Sequence, residues 1–275
     1  MSGHQNHPYH LVNPSPWPLL TAFAMLTLVV GGAFALHKQA IGHAILAAGF
    51  IGTASCCFFW WRDVIREGIQ DHAHTDKVRL GLRVGMVLFI ASEVMFFFAF
   101  FWAYFGAAFY PLEPVSPDDV WAIKAGIWPP KDIVTFDPFD LPFMNTLILL
   151  LSGTTVTWAH AALLEGNQRD TVRGLACTVA LGALFTLCQA YEYSHAAFGL
   201  KDGKYASTFF LATGFHGIHV IIGTVFLAVN LVRAKRGTLF VEREGHLGFE
   251  FAAWYWHFVD VVWLFLFVGI YWYTS

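Results

Sequence analysis

Apolar stretches of about 20 residues or more, the length needed to cross about 30 Å of hydrocarbon, recur seven times along the chain: 17–36, 41–61, 82–106, 142–164, 173–197, 207–232 and 248–272. The short segments between them collect most of the charge. This pattern predicts an all-α membrane protein with seven transmembrane helices, and seven spans place the two termini on opposite sides. Counting Lys and Arg by side gives 11 on the side of Arg62, Arg66, Arg83, Arg169 and Arg233, against 5 on the side of Lys38, Lys124 and Lys201. The positive-inside rule then puts the N-terminus in the cytoplasm and the C-terminus outside.

The longest connection, 107–141, holds six of the 11 prolines, with a seventh, Pro142, at its border, and both Trp121 and Trp128. Its Trp-Pro-Pro, Asp137-Pro138 and Leu141-Pro142 steps disfavour helix, because proline pushes the preceding residue out of the α region. The segment is predicted to lie outside, on the membrane surface, with its indoles at the interface. Residues 1–16 form a polar, His-rich and Pro-rich tail without Lys or Arg. The tail lacks the charged-then-apolar order of a secretory signal, so no cleaved peptide is expected.

Composition agrees with the span pattern. Hydrophobic residues make up 57% and charged residues 13%, far from the quarter or so charged that is usual in soluble domains, and the mean hydropathy is +0.55. The net charge of −3, with no basic stripe interleaved with aromatics, argues against nucleic acid as a partner. Cys56, Cys57, Cys177 and Cys188 all fall in apolar segments at spacings that match no zinc or redox motif. They are predicted to be small apolar core residues.

The candidate chemistry lies in the few ionisable residues inside the spans. Glu93 sits in the run Met86 to Trp102 with no Lys or Arg beside it. An ionised carboxylate at a bilayer centre costs roughly 2.5–3.5 kcal/mol even on the lenient insertion scale. Glu93 must therefore be protonated, hydrogen-bonded or functional. Glu192 and His195, His216 and His219, and the stripe Glu250, His257 and Asp260 add further polar positions. Pairs three apart are predicted to share a helical face, so each polar seam should face other helices. Gly214, Gly217 and Gly223 around the two His of the sixth span predict close helix packing there.

Three chemistries suit such seams. A di-iron carboxylate site needs a Glu-x-x-His motif on each of two helices with two further Glu, and only Glu192/His195 supplies one. Haem ligation is open to an imidazole in a bundle, but His216 and His219 on one face cannot take opposite sides of one haem. Structural hydrogen bonds between helices suit most of these residues. For Glu93, a structural bond and a proton or lipid role both stand.

Several blocks resemble one family: Trp60-Trp-Arg-Asp-Val-Ile-Arg66, Ser92-Glu-Val-Met-Phe-Phe97, Thr157-Trp-Ala-His160, Ala212 to Gly223 and Trp254 to Leu266. Together, from about Pro16 to the C-terminus, they resemble subunit III of the haem-copper cytochrome c oxidases, in the aa3-type bacterial and mitochondrial form. The resemblance implies a two-helix plus five-helix bundle forming a V-shaped, lipid-holding cleft, with domains at 1–16 (tail), 17–75 (two helices and inner loop) and 76–275 (five-helix bundle). It also implies a subunit of a proton-pumping terminal oxidase that reduces oxygen to water. Such a subunit has no redox centre of its own, stabilises the catalytic subunit and supports proton uptake. Haem a and copper are expected in partner subunits I and II, structural phospholipids in the cleft, and cytochrome c as a partner through the complex. The expected location is the bacterial inner membrane, with the C-terminus periplasmic, or alternatively the mitochondrial inner membrane.

Residue by residue, Glu93 matches the family's carbodiimide-reactive carboxylate. Trp60, Trp61, Arg66, His74, Arg83 and Arg233, together with Glu93, match lipid-holding positions of the cleft, and His4, His7 and His10 resemble proton-buffering histidines. No catalytic residue and no metal ligand is expected in this chain. The segment 237–245 departs from the family pattern. An independent transporter or proton-relay protein is the alternative, but the sequence shows neither broken helices nor corresponding halves. A retinal-type pump would need a Lys in the last span, and the last Lys is Lys235.

Overall fold

The computed structural model describes residues 9–10, 12, 14–70, 73–116, 119–240 and 242–274, with backbone only for 113–116, 119–124 and 242–245. Its helices are α1 (Trp17–Leu36), α2 (Gly42–Ile69), α3 (Asp76–Phe109), α4 (Leu141–Leu164), α5 (Gln168–Ser194), α6 (Lys204–Lys235) and α7 (Glu242–Leu266). A π-helical turn, Phe267–Trp272, continues α7. All seven are long and apolar enough to cross a membrane.

The spans fall where the hydropathy pattern predicts them, but most helices run further. The second extends to Ile69 and the third begins at Asp76, adding charged turns at the basic end. Hydropathy reads only the part of a helix that must match the hydrocarbon. The wet ends are helical for other reasons, such as the pairing of Asp76 with Arg79 one turn later.

The chain divides into two compact units, Met1–Leu82 and Arg83–Ser275, with the division inside α3. In the first unit α1 and α2 form a close antiparallel hairpin. A side chain at Gly31 or Gly49 would collide with the backbone of the facing helix at Leu46 or Leu28, so glycine permits the approach. At its basic end, Trp17 Nε1 donates to Asp63 Oδ2 at 2.8 Å and the Trp17 ring stacks on Phe59. Arg62 pairs with Asp63 at 3.0 Å.

In the second unit α7 is central: the span His246–Trp272, formed by α7 and the π-helical turn, is 61% buried along its most apolar stretch, against 33–39% for α4, α5 and α6. Its Trp256 and Trp263 are fully buried, with Tyr104, Phe185, Tyr205 and Phe209 in the same core. Of the three glycines near His216 and His219, only Gly223 meets the close-packing expectation. A Cβ there would lie 2.8 Å from the Trp256 ring, whereas Gly217 has open space and Gly214 only the Tyr193 hydroxyl at 4.0 Å. Gly182, on α5, approaches the same indole from another helix.

The connection after α3 is not irregular throughout. β1 (Leu112–Ser116) and β2 (Asp119–Ala125) pair antiparallel, Leu112 opposite Ala125 and Pro114 opposite Ile123, with a register shift before Ser116. This hairpin adds a small two-stranded sheet to the predicted all-α fold. The Trp128 ring sits edge-on to Tyr104 and Tyr205, both at 5.3 Å. The four cysteines are free and none is buried. In a span an apolar residue can face outward, so hydropathy alone cannot place it in the core.

Candidate functional site

The polar seam of the second unit is assembled from residues distant in sequence. Glu93 on α3 meets His219 on α6, Oε2 to Nε2 at 2.9 Å, with 21% and 10% of the side chains exposed. His219 Nδ1 lies 2.6 Å from the Phe215 carbonyl and must donate to it. Nε2 and Oε2 therefore share a second proton, whichever atom carries it. The rings of Phe96, Phe97 and Tyr255 surround the imidazole at 4.8–6.3 Å, so the pair sits among aromatics.

Arg83, one of the lipid-holding expectations, forms a two-pronged ion pair with Glu250 of α7: Nε to Oε1 at 3.0 Å and Nη2 to Oε2 at 2.9 Å. Its side chain stays 46% exposed. Asp260 is buried against α4 beside Gly153, where any side chain would clash with its carboxylate. His257 Nε2 is 3.2 Å from Thr157 Oγ1, and the ring remains 47% exposed. The predicted stripe on α7 thus faces two helices at once, α3 through Glu250 and α4 through His257 and Asp260.

His216 and His219 diverge in role. His216 is fully buried, and its Nε2 reaches the Val259 carbonyl at 3.2 Å. Glu192 and His195 do not share a face as their spacing predicts. Glu192 is buried and accepts from Tyr271 at 2.6 Å. His195 is the C-cap residue of α5, outside helical geometry, and bonds locally to Ser194 and the Tyr191 carbonyl. Among the described residues no group of three or more His, Cys, Asp or Glu side chains could hold a metal ion. The imidazoles of His216 and His219 are turned to the Val259 carbonyl and to Glu93.

Four of the lipid-holding expectations, Trp60, Trp61, Arg66 and His74, belong to the first unit, and Arg83, Glu93 and Arg233 belong to the second. Trp61 is 66% exposed, Arg66 is exposed and Trp60 half-buried. His74 is buried, its ring against Gly68. His10 lies 3.6 Å from Glu67 and edge-on to His74, while His4 and His7 fall outside the described residues. Arg233 Nη1 reaches Asn230 Oδ1 at 3.4 Å near the end of α6.

Two anchors of this site lie outside the ionisable positions that stand out in the sequence. Trp256 Nε1 donates to Ser152 Oγ, and Trp263 Nε1 to Thr146 Oγ1, each at 2.9 Å. Both indoles are invisible as polar groups in a hydropathy count. The signal available was the small hydroxyl residues of the fourth span, which recur on its buried face at Thr146 and Ser152.

The family model described as cytochrome c oxidase subunit III matches residues 7–275. The chain belongs to that family. It is 60% identical over 267 residues to a protein named probable cytochrome c oxidase subunit 3 from Rickettsia bellii (strain RML369-C), covering 97% of this chain and 96% of the relative. The probable cytochrome c oxidase subunit 3 of Rickettsia prowazekii (strain Madrid E) is 59% identical, over 97% of this chain and 95% of the relative. The cytochrome c oxidase subunit 3 of Arabidopsis thaliana is 53% identical over 268 residues, 98% of this chain and 97% of the relative. Membership of the subunit III family implies a cytochrome c oxidase complex, and the seven spans make this member a multi-pass membrane protein.

Proposed function

We propose that the chain is the subunit III of a proton-pumping, aa3-type cytochrome c oxidase in a bacterial inner membrane, associated with subunits I and II and, through the complex, with cytochrome c. In this reading it takes no part in the oxygen chemistry, stabilises the catalytic subunit during turnover, holds phospholipid and supports proton uptake. The observation that carries the reading is the family match over nearly the whole chain. The Rickettsia relatives favour the bacterial setting over the mitochondrial one.

The seam supports a bracing role. Two ionisable pairs cross between helices, Glu93 with His219 and Arg83 with Glu250, as structural groups in a bundle do. Haem a and copper belong, in this proposal, to the partner subunits. Trp60, Trp61, Arg66 and His74, with Arg83, Glu93 and Arg233, are the lipid-holding set. His4, His7 and His10 are the proton-buffering set. Glu93 is the carbodiimide-reactive carboxylate.

The test is depletion of this chain from the purified oxidase in mild detergent. The visible haem spectrum of the remaining complex is expected to persist while the number of turnovers before inactivation falls. Loss of haem absorbance in step with the chain would overturn the assignment of the redox centres. A preparation of the chain alone that is free of haem and copper and carries out transport would overturn the oxidase reading altogether.

A further inference from the structure

At the basic end of the second unit, the start of α5 is fastened to the end of α6. Gly166 (φ 74°) closes α4 in a left-handed turn, and Asn167 Oδ1 accepts from the Asp170 N–H at 3.2 Å to open α5. Gln168 Nε2 then donates to the Ala234 carbonyl at 2.7 Å. Beside this clamp lies an open groove of about 540 Å³ lined by Gln168, Arg169, Val172, Arg173 and Lys235. Three of the five lining residues are cations and none is acidic. Arg173 is 3.3 Å from Asp170 and still half-exposed, while Arg169 and Lys235 have no carboxylate partner among the described residues.

Exposed apolar surface continues from these cations along both helices. On α5, Arg169 and Arg173 share a face with Cys177 and Leu184, all exposed. On α6, Lys235 shares a face with Val232, Val225 and Ile221, which are 46–58% exposed. The charge therefore sits at the end of two spans, and an apolar stripe runs from it into the hydrocarbon. Inorganic phosphate could use the cations but not the stripe, and a neutral lipid could use the stripe but not the cations.

We infer that this groove is a headgroup site for an anionic phospholipid, with its phosphate held by Arg169, Arg173 and Lys235 and its acyl chains lying along α5 and α6. None of the residues in the lipid-holding set takes part, so the site stands apart from the oxidase reading. Cations near a membrane surface each strengthen binding of an anionic lipid several-fold, and three together on the order of 100-fold.

The oxidase preparation containing this chain, reconstituted in phosphatidylcholine nanodiscs, would be titrated with phosphatidylglycerol carrying a photoreactive acyl chain. Label is expected on peptides covering 173–187 and 221–235. The triple variant R169Q/R173Q/K235Q should need about 100-fold more phosphatidylglycerol for the same labelling, with K201Q, beyond the opposite end of α5, unchanged. If the triple variant fails to accumulate, Val232→Trp, which fills the stripe without touching the charge, should cut labelling of the same peptides. Label elsewhere on the wild-type chain, or equal labelling by photoreactive phosphatidylcholine, would overturn the proposal. Full competition by millimolar inorganic phosphate, or protection of the groove by another subunit, would also overturn it.

Discussion

Glu93 and His219 lie 126 positions apart in sequence, and together they solve a problem neither could solve alone. A lone carboxylate at mid-span is costly, and so is a lone imidazole; sharing one proton between Nε2 and Oε2 keeps the pair neutral overall in either protonation isomer. Glu93→Ala is expected to abolish carbodiimide labelling, read by mass spectrometry, while leaving assembly largely intact, because interhelical pairs in membranes contribute only about 0.6 kcal/mol on average. Persistent labelling of the variant at the same stoichiometry would move the reactive carboxylate elsewhere. The Trp256–Ser152 bond is a stricter case, since both groups are buried. Ser152→Ala leaves the indole N–H without an acceptor and should destabilise the bundle by about 1–3 kcal/mol. Thr154→Ala serves as the control, as Thr154 is exposed and bonds only to the Leu151 carbonyl of its own helix. Equal unfolding midpoints of the two variants in mild detergent would show that Ser152 is not an anchor.

Among the elements, α7 organises the second unit, and glycines on its neighbours decide how closely they approach it. Trp256 lies against Gly182 of α5 and Gly223 of α6, so one indole fixes the spacing of three helices. Gly223→Leu must displace that ring and is expected to cost at least about 1–3 kcal/mol, the range for overpacking a filled core. Gly217→Ala, six residues earlier on the same helix, points into open space and should be neutral or slightly stabilising. The two residues look alike in the sequence. What separates them is rotation about the helix axis, which a local pattern does not report when apolar residues surround the helix on every side.

For the whole molecule, seven spans and the uneven distribution of Lys and Arg make the orientation testable. A tag at the N-terminus should be reached only after the membrane is opened, and a tag at the C-terminus from outside. Both tags on one side would overturn the seven-span topology. The division within α3 gives the chain two units of different character. The first is a hairpin of two helices held by glycine contacts and a Trp17–Asp63 anchor, and the second a bundle around buried aromatics.

The sequence by itself determined the number of spans, their approximate limits and the membrane class, because each depends on hydropathy summed over about 20 residues and needs no partner. It also carried the family, through blocks such as Ala212 to Gly223 and Trp254 to Leu266. Tertiary structure alone decided that Glu93 pairs with His219, Arg83 with Glu250 and Tyr271 with Glu192, and that His195 turns away from Glu192. It likewise folded 112–125 into a hairpin and drew Trp128 onto Tyr104 and Tyr205. Crossing a bilayer is a property of one segment, whereas a partner is chosen by the phase and depth of two segments at once, and those are fixed only when the helices pack.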